Sequence, residues 1–321
     1  MAARIEVSGS ELRYELIGAE HLGAIDEAWS ARAASPGLSR HPVFRGYIEG
    51  FRAARPAGLE WAGALVIAAL FSPGRVVEFS LPGGELRLLQ PPNYIPWPAS
   101  REAIRAALAR ELGCRVELAS ALPLKTLAAW SGLGRYGRNT IIYVEGMGSS
   151  ANLAAFWAGL AGRSLPPPPG PAFLKRCSSC EACARACPTG AIPPALGGID
   201  ASRCLPLYNE IEGEFPAWLD PASHNALKGC ARCQEACPED APFRERRLRH
   251  GPFGEAELAS LLRGAADPAS DAVLARLLSE EDEESLAAER PVMRRNLAAF
   301  IEAERLRGLG AARSGSDGGA D

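Results

Sequence analysis

Eight cysteines within 61 residues constrain this chain more than any other feature. They read Cys177-x-x-Cys180-x-x-Cys183-x-x-x-Cys187-Pro188, then a lone Cys204, then Cys230-x-x-Cys233-x-x-x-Cys237-Pro238. The ninth, Cys114, lies apart and reads as a buried, inert thiol. The opening segment, MAARIEVSGSELRYEL, carries acids and no apolar stretch of the kind that marks secretion. A cytoplasmic location is the default expectation. Cytosolic thiols stay reduced, so the cluster reads as metal binding before disulfides.

The spacing narrows the metal. Thiolates three residues apart wind around one tight turn and can hold three corners of an iron–sulfur cube. A fourth cysteine, one turn on and followed by proline, then points to a second cube. The second run lacks one local cysteine, and Cys204 makes up the number. Mutual donation of the fourth ligand assigns Cys177, Cys180, Cys183 and Cys237 to one 4Fe–4S cluster. It assigns Cys187, Cys204, Cys230 and Cys233 to the other. The competing reading, two structural zinc sites, usually shows paired C-x-x-C knuckles around a loop, which the first run does not.

The chain has 321 residues, room for about two domains of ordinary size. With 47% hydrophobic and 23% charged residues it can build a core, and no membrane partner is expected. The longest apolar run, Trp61 to Phe71, falls short of the roughly 20 residues a bilayer needs. The net charge is -3, so a nucleic-acid partner has to be gripped by a local basic patch. Arg244, Arg246, Arg247 and Arg249, with Arg294 and Arg295 later, are the candidates, against the alternative of a solvated helix face. The acidic run 280–284 reads as solvent-facing. The four histidines, His21, His41, His224 and His250, form no ligand pair.

The expected fold class is α+β. Residues 1–165 read as an α/β domain. Helical character covers 18–35 and 41–54, and a buried strand 63–71. A hairpin joins 75–81 to 85–90 through Pro82-Gly83-Gly84. Ser100 caps a helix to Leu112 stopped by Gly113, a weak strand follows over 114–120, and then a helix over 124–131. TIIYVE (140–145) is the clearest strand. Prolines 166–169 suggest a stiff linker to a cysteine domain over 171–245. A helical segment over 246–307 and a disordered tail over 308–321 complete the expectation.

Gly132-Leu133-Gly134-Arg135-Tyr136-Gly137 matches G-x-G-x-x-G, but a helix precedes it and a strand follows, the reverse of a dinucleotide fingerprint. Two readings stay open. One is a loop that lets backbone approach a flat or bulky ligand. The other is a tight helix-to-strand turn.

Three features resemble the epoxyqueuosine reductase family. One is the order C-x-x-C-x-x-C-x-x-x-CP, a lone cysteine, then C-x-x-C-x-x-x-CP. Another is Ser131-GLGRYGRNT-Ile141, similar to the family's AGLGWIGKxT signature. The third is PVMRRNLAAF (291–300), similar to its C-terminal RRN segment. The resemblance implies a nitroreductase-like N-terminal domain, a ferredoxin-like double-cluster domain and a small helical segment. It also implies a cobalamin beside a proximal cluster, with electrons passing through both clusters to cobalt. The reduced cobalt removes an epoxide oxygen from a tRNA-borne nucleoside. Ser131, Gly132, Leu133, Gly134, Tyr136, Gly137, Asn139 and Thr140 would line the corrin. A flavodoxin- or ferredoxin-type donor, a tRNA partner and a monomeric state are further expectations. The sequence departs from the family in one place. Where the family has an acid in a V-D-S-A-P segment, as proton donor, this chain has Ala119. Glu117, two residues away on the same strand face, sits roughly 6–7 Å from that position. A non-catalytic electron carrier and a structural module docked on RNA are the rival readings.

Overall fold

The structure, a computed structural model, describes residues 2–34, 41–81, 84–280 and 282–314, with side chains to 306. In chain order the strands are β1 (Ala3–Val7), β2 (Ser10–Gly18), β3 (Ala64–Phe71), β4 (Arg75–Leu81) and β5 (Gly84–Gln90). There follow β6 (Val116–Ala119), β7 (Gly134–Tyr136), β8 (Ile142–Val144), β9 (Ala151–Ala158) and β10 (Leu248–Phe253). The N-terminal helices are α1 (Leu22–Ala34), α2 (Pro42–Glu49), α3 (Arg101–Leu112) and α4 (Leu124–Trp130). Short helices α5 (Ala182–Ala186), α6 (Pro206–Asn209), α7 (Arg232–Glu235) and α8 (Ala241–Arg244) carry the cysteine region. Then come α9 (Glu255–Arg263), α10 (Pro268–Leu278) and α11 (Glu283–Ser314). Among the described residues, no helix is long and apolar enough to cross a membrane.

A five-stranded antiparallel sheet, β1-β2-β3-β9-β6, forms the first layer. β3 is apolar throughout because both its faces are covered. Leu65, Ile67 and Ala69 pack with Ile25 of α1 and Leu127 of α4. Val66, Ala68 and Leu70 face the other way, towards Ile104 and Leu108 of α3. The Ser100 hydroxyl accepts from Ala103 N at 3.0 Å, and Gly113 ends α3 in the left-handed region at φ 63, as its sequence predicts. The partner strand β9, ANLAAFWA, is not foreshadowed in the sequence, because its alanines carry little strand preference. Burial beside β3 decides it. TIIYVE, by contrast, yields only the three-residue β8.

The hairpin 75–90 does not join this sheet. β4 and β5 pair with each other, and β10 adds to β4 in parallel, Leu248 opposite Arg75. Val77, Phe79 and Leu88 enter a separate core with Phe253, Leu261, Leu277, Leu297 and Phe300. The boundary expected near residue 165 is therefore crossed by a hairpin whose apolar face is completed 170 residues later. The proline run does not swing free either. Gly170 N bonds Trp130 O at 3.2 Å and Leu174 N bonds Tyr136 O at 2.9 Å. At the other end, α11 runs to Ser314, into the segment expected to be a tail, and 315–321 lie outside the described residues.

Candidate functional site

Two groups of thiols lie below the glycine segment. Cys177 ends a tight turn (Lys175–Ser178), Cys183 is on α5, and Cys237 precedes Pro238. Together with Cys180 they line one cavity, so three cysteines of the first run and the last of the second converge. Burial raises the pKa of Cys183 and Cys237. The remaining four thiols also influence one another. Burial, with Cys230 and Cys187 beside it, pushes Cys204 up to about 12. Burial likewise raises Cys230 and, further, Cys233. Such thiols give up their protons only to a bound cation, so ligation there is coupled to proton release. Backbone and amide donors already point at the sulfurs. Ala191 N meets Cys187 Sγ at 3.3 Å and Asn225 Nδ2 meets Cys230 Sγ at 3.2 Å.

The segment from 131 to 144 lies between the groups. Arg138 N donates to Cys177 Sγ at 3.4 Å. Asn139 and Tyr143 line the same cavity as Cys177 and Cys237. Asn139 Nδ2 also donates to Tyr143 Oη at 3.0 Å. Ser131 and Leu133 turn inward, with Leu133 N donating to Ser131 Oγ at 3.2 Å, and Tyr136 Oη donates to Thr126 Oγ1 at 3.3 Å. Thr140 closes the turn in the left-handed region at φ 59.

The glycines explain themselves by packing. A side chain at Gly134 would meet Ile142 Cγ2 at 2.5 Å, and one at Gly137 would meet Asn139 Oδ1 at 2.5 Å. One at Gly132 would meet Pro169 Cγ at 3.1 Å. The space each glycine leaves is filled by the chain itself, as the turn reading requires.

Beside the second group, burial lowers the pKa of Lys125, whose charged neighbours are Cys204, Cys233 and Glu210. The Tyr94 hydroxyl donates to Glu210, and burial raises both groups. Ala119 is buried in the sheet core, and Glu117 is held at the surface by Arg115, whose guanidinium stacks on Trp61 at 4.1 Å.

The basic run is spent within the fold. Arg249 grips the buried Glu78 carboxylate at 2.7 Å, and Arg247 pairs with Glu235. Arg246 stacks over Phe71 at 4.0 Å, and Arg244 donates to Glu235 O at 2.6 Å. Arg294 reaches Leu262 O at 3.1 Å, while Arg295 holds Tyr208 O at 2.9 Å and stacks on Phe215. Arg246, Arg249 and Arg294 nonetheless stay exposed. Sequence reading missed Arg138 and the Asp240–Ser149 lock, in which Asp240 accepts from Ser149 N and Oγ, both at 2.7 Å. Buried polar side chains far apart in sequence leave no periodic signal.

Residues 176–240 match the 4Fe-4S double cluster binding domain. The chain is 32% identical over 158 residues to the epoxyqueuosine reductase of Salmonella typhimurium, 44% of this chain and 40% of that protein. To that of Escherichia coli it is 36% identical over 115 residues, 36% of this chain and 29% of the relative. It thus aligns with well under half the length of these relatives. In fold, it matches epoxyqueuosine reductase from Bacillus subtilis with its catalytic loop swung out of the active site, at TM-score 0.58 and 20% identity, over 92% of this chain and 80% of that one. It also matches an epoxyqueuosine reductase crystallised with an epoxyqueuosine-modified tRNA stem loop, at TM-score 0.56 and 18% identity, over 90% and 76%. The chain is similar to the epoxyqueuosine reductases in sequence and shares their mixed helix-and-sheet fold.

Proposed function

We propose that this chain is an iron–sulfur oxidoreductase of the epoxyqueuosine reductase type. Cys177, Cys180, Cys183 and Cys237 hold one 4Fe–4S cluster, and Cys187, Cys204, Cys230 and Cys233 the other, on a ferredoxin-like pattern of exchanged fourth ligands. The carrying observation is the first cavity, where thiols from two distant runs face one space. Bound there, the clusters supply one-electron storage and transfer.

The protein's own part is positioning. Ala191 N and Asn225 Nδ2 donate to sulfurs, which favours the more negative, reduced state. Arg138, Asn139 and Tyr143 wall the first cavity. Lys125 and the Tyr94–Glu210 pair lie beside the second group and would offer a cation and a hydrogen-bonding pair to a substrate there. The relatives' names point to an epoxide-bearing nucleoside in tRNA as substrate, and a flavodoxin- or ferredoxin-type protein would serve as donor. Cobalamin belongs to the proposal as a ligand that the segment from Ser131 to Thr140 would line.

Anaerobically reconstituted protein should contain about eight irons with matching sulfide and absorb broadly in the visible. Stoichiometric zinc without colour sinks the reading. Added cobalamin should change the visible spectrum, and the gene should restore queuosine in a strain lacking its own reductase. Intact clusters without rescue favour the second reading, an electron carrier for a partner enzyme, for which Ala119 and the tethered Glu117 argue.

A further inference from the structure

We propose that Arg138 is the counter-ion of the first cluster and sets its reduction potential. The inference rests on the cluster assignment above. Arg138 is 4% exposed. Its guanidinium donates to Cys180 O at 3.0 Å, Cys177 O at 2.6 Å and Pro194 O. All three acceptors are neutral carbonyls, and among the described residues no carboxylate lies within ion-pair distance. The nearby Glu239 is taken by Arg176 at 2.7 Å. A buried guanidinium with no anion is costly, because its desolvation goes uncompensated. Here it lines the cavity that Cys177, Cys180, Cys183 and Cys237 also line. A cubane with four thiolates is an anion in both oxidation states, and accepting an electron makes it more so. The missing negative charge and the unbalanced positive one share a cavity.

Two further contacts make the role more than neutralisation. The carbonyls gripped by the guanidinium belong to Cys177 and Cys180, so it fixes the backbone of two ligands. The backbone N–H of the same residue donates to Cys177 Sγ. Charge and an N–H to sulfur bond both stabilise the reduced cluster, raising its potential. Arg138 is thus a positioning and redox-tuning residue, not a catalytic one.

The test is a dithionite titration of reconstituted full-length protein, read by electron paramagnetic resonance. Arg138→Gln should lower the reduced-to-oxidised ratio of one cluster roughly tenfold at fixed poise, about 59 mV for a one-electron couple, and leave the other unmoved. Arg138→Lys, which keeps the charge, should stay close to wild type. If the glutamine variant loses about half its iron while the lysine variant keeps it, the charge is required and the proposal stands. An unshifted potential in a fully loaded Arg138→Gln protein overturns it, as does equal iron loss in both variants. Wild-type protein with no clusters at all refutes instead the functional reading beneath it.

Discussion

At the scale of single residues, Cys204 carries the sharpest expectation. It lies outside both runs, yet Cys230 and Cys187 are its nearest charged influences, and burial holds its proton. Cys204→Ala should remove about four of about eight irons and leave one spectroscopically intact cluster. Loss of both clusters, or of neither, would count against the assignment of fourth ligands. The sulfur positions were legible in the sequence because cluster geometry imposes a short, rigid spacing. Arg138 was not, since its partners are carbonyls at residues 177, 180 and 194, and carbonyls have no sequence signature. The six arginines misled in the same way. A cation reads as surface charge until its carboxylate, ring or carbonyl is seen.

At the scale of elements, β10 shows how a strand with little pattern of its own becomes structural. LRHGPF has no clean alternation, and it forms by pairing with β4, where His250 stands opposite Val77. His250 Nε2 lies 2.9 Å from Arg276 O and 3.0 Å from Leu277 O, so the neutral ring donates there. Burial lowers its pKa, and Arg75 and then Arg276 push the same way, outweighing those two carbonyls. The folded state thus prefers the neutral ring. The stabilisation is complete above the ordinary value of about 6.5 and is lost as pH falls through the window below it. With partial exposure and screening, the loss should be no more than about 1 kcal/mol. Urea unfolding of wild type and His250→Gln at a series of pH values checks this. The difference between them should grow more favourable to the variant below about pH 6.5, and a constant difference would dismiss His250 as a titrating group.

For the whole molecule, the question is whether the proline run separates two folding units. Composition says it does; the cores say otherwise. Phe79, Val77 and Leu88 are at most 1% exposed, and the residues covering them, Leu227, Phe253, Leu277 and Leu297, all lie beyond residue 166. Losing that cover costs about 1.5–3 kcal/mol per large apolar side chain and leaves a two-stranded ribbon with an open edge. The buried Asp240 would be stranded as well, since both its donors are on Ser149. A fragment ending at residue 165 should therefore aggregate or unfold without cooperativity, and a fragment from 171 onward, lacking the hairpin, should fail to retain iron. Size-exclusion chromatography and thermal circular dichroism of the first, with iron analysis of the second, decide it. A monodisperse N-terminal fragment with a sharp melt would restore the linker as a true boundary. Aggregation of both halves would mean that cluster insertion has to wait for the entire chain, because the cavity walls at Gly137–Asn139 and at Cys177–Cys183 come from opposite sides of the proline run.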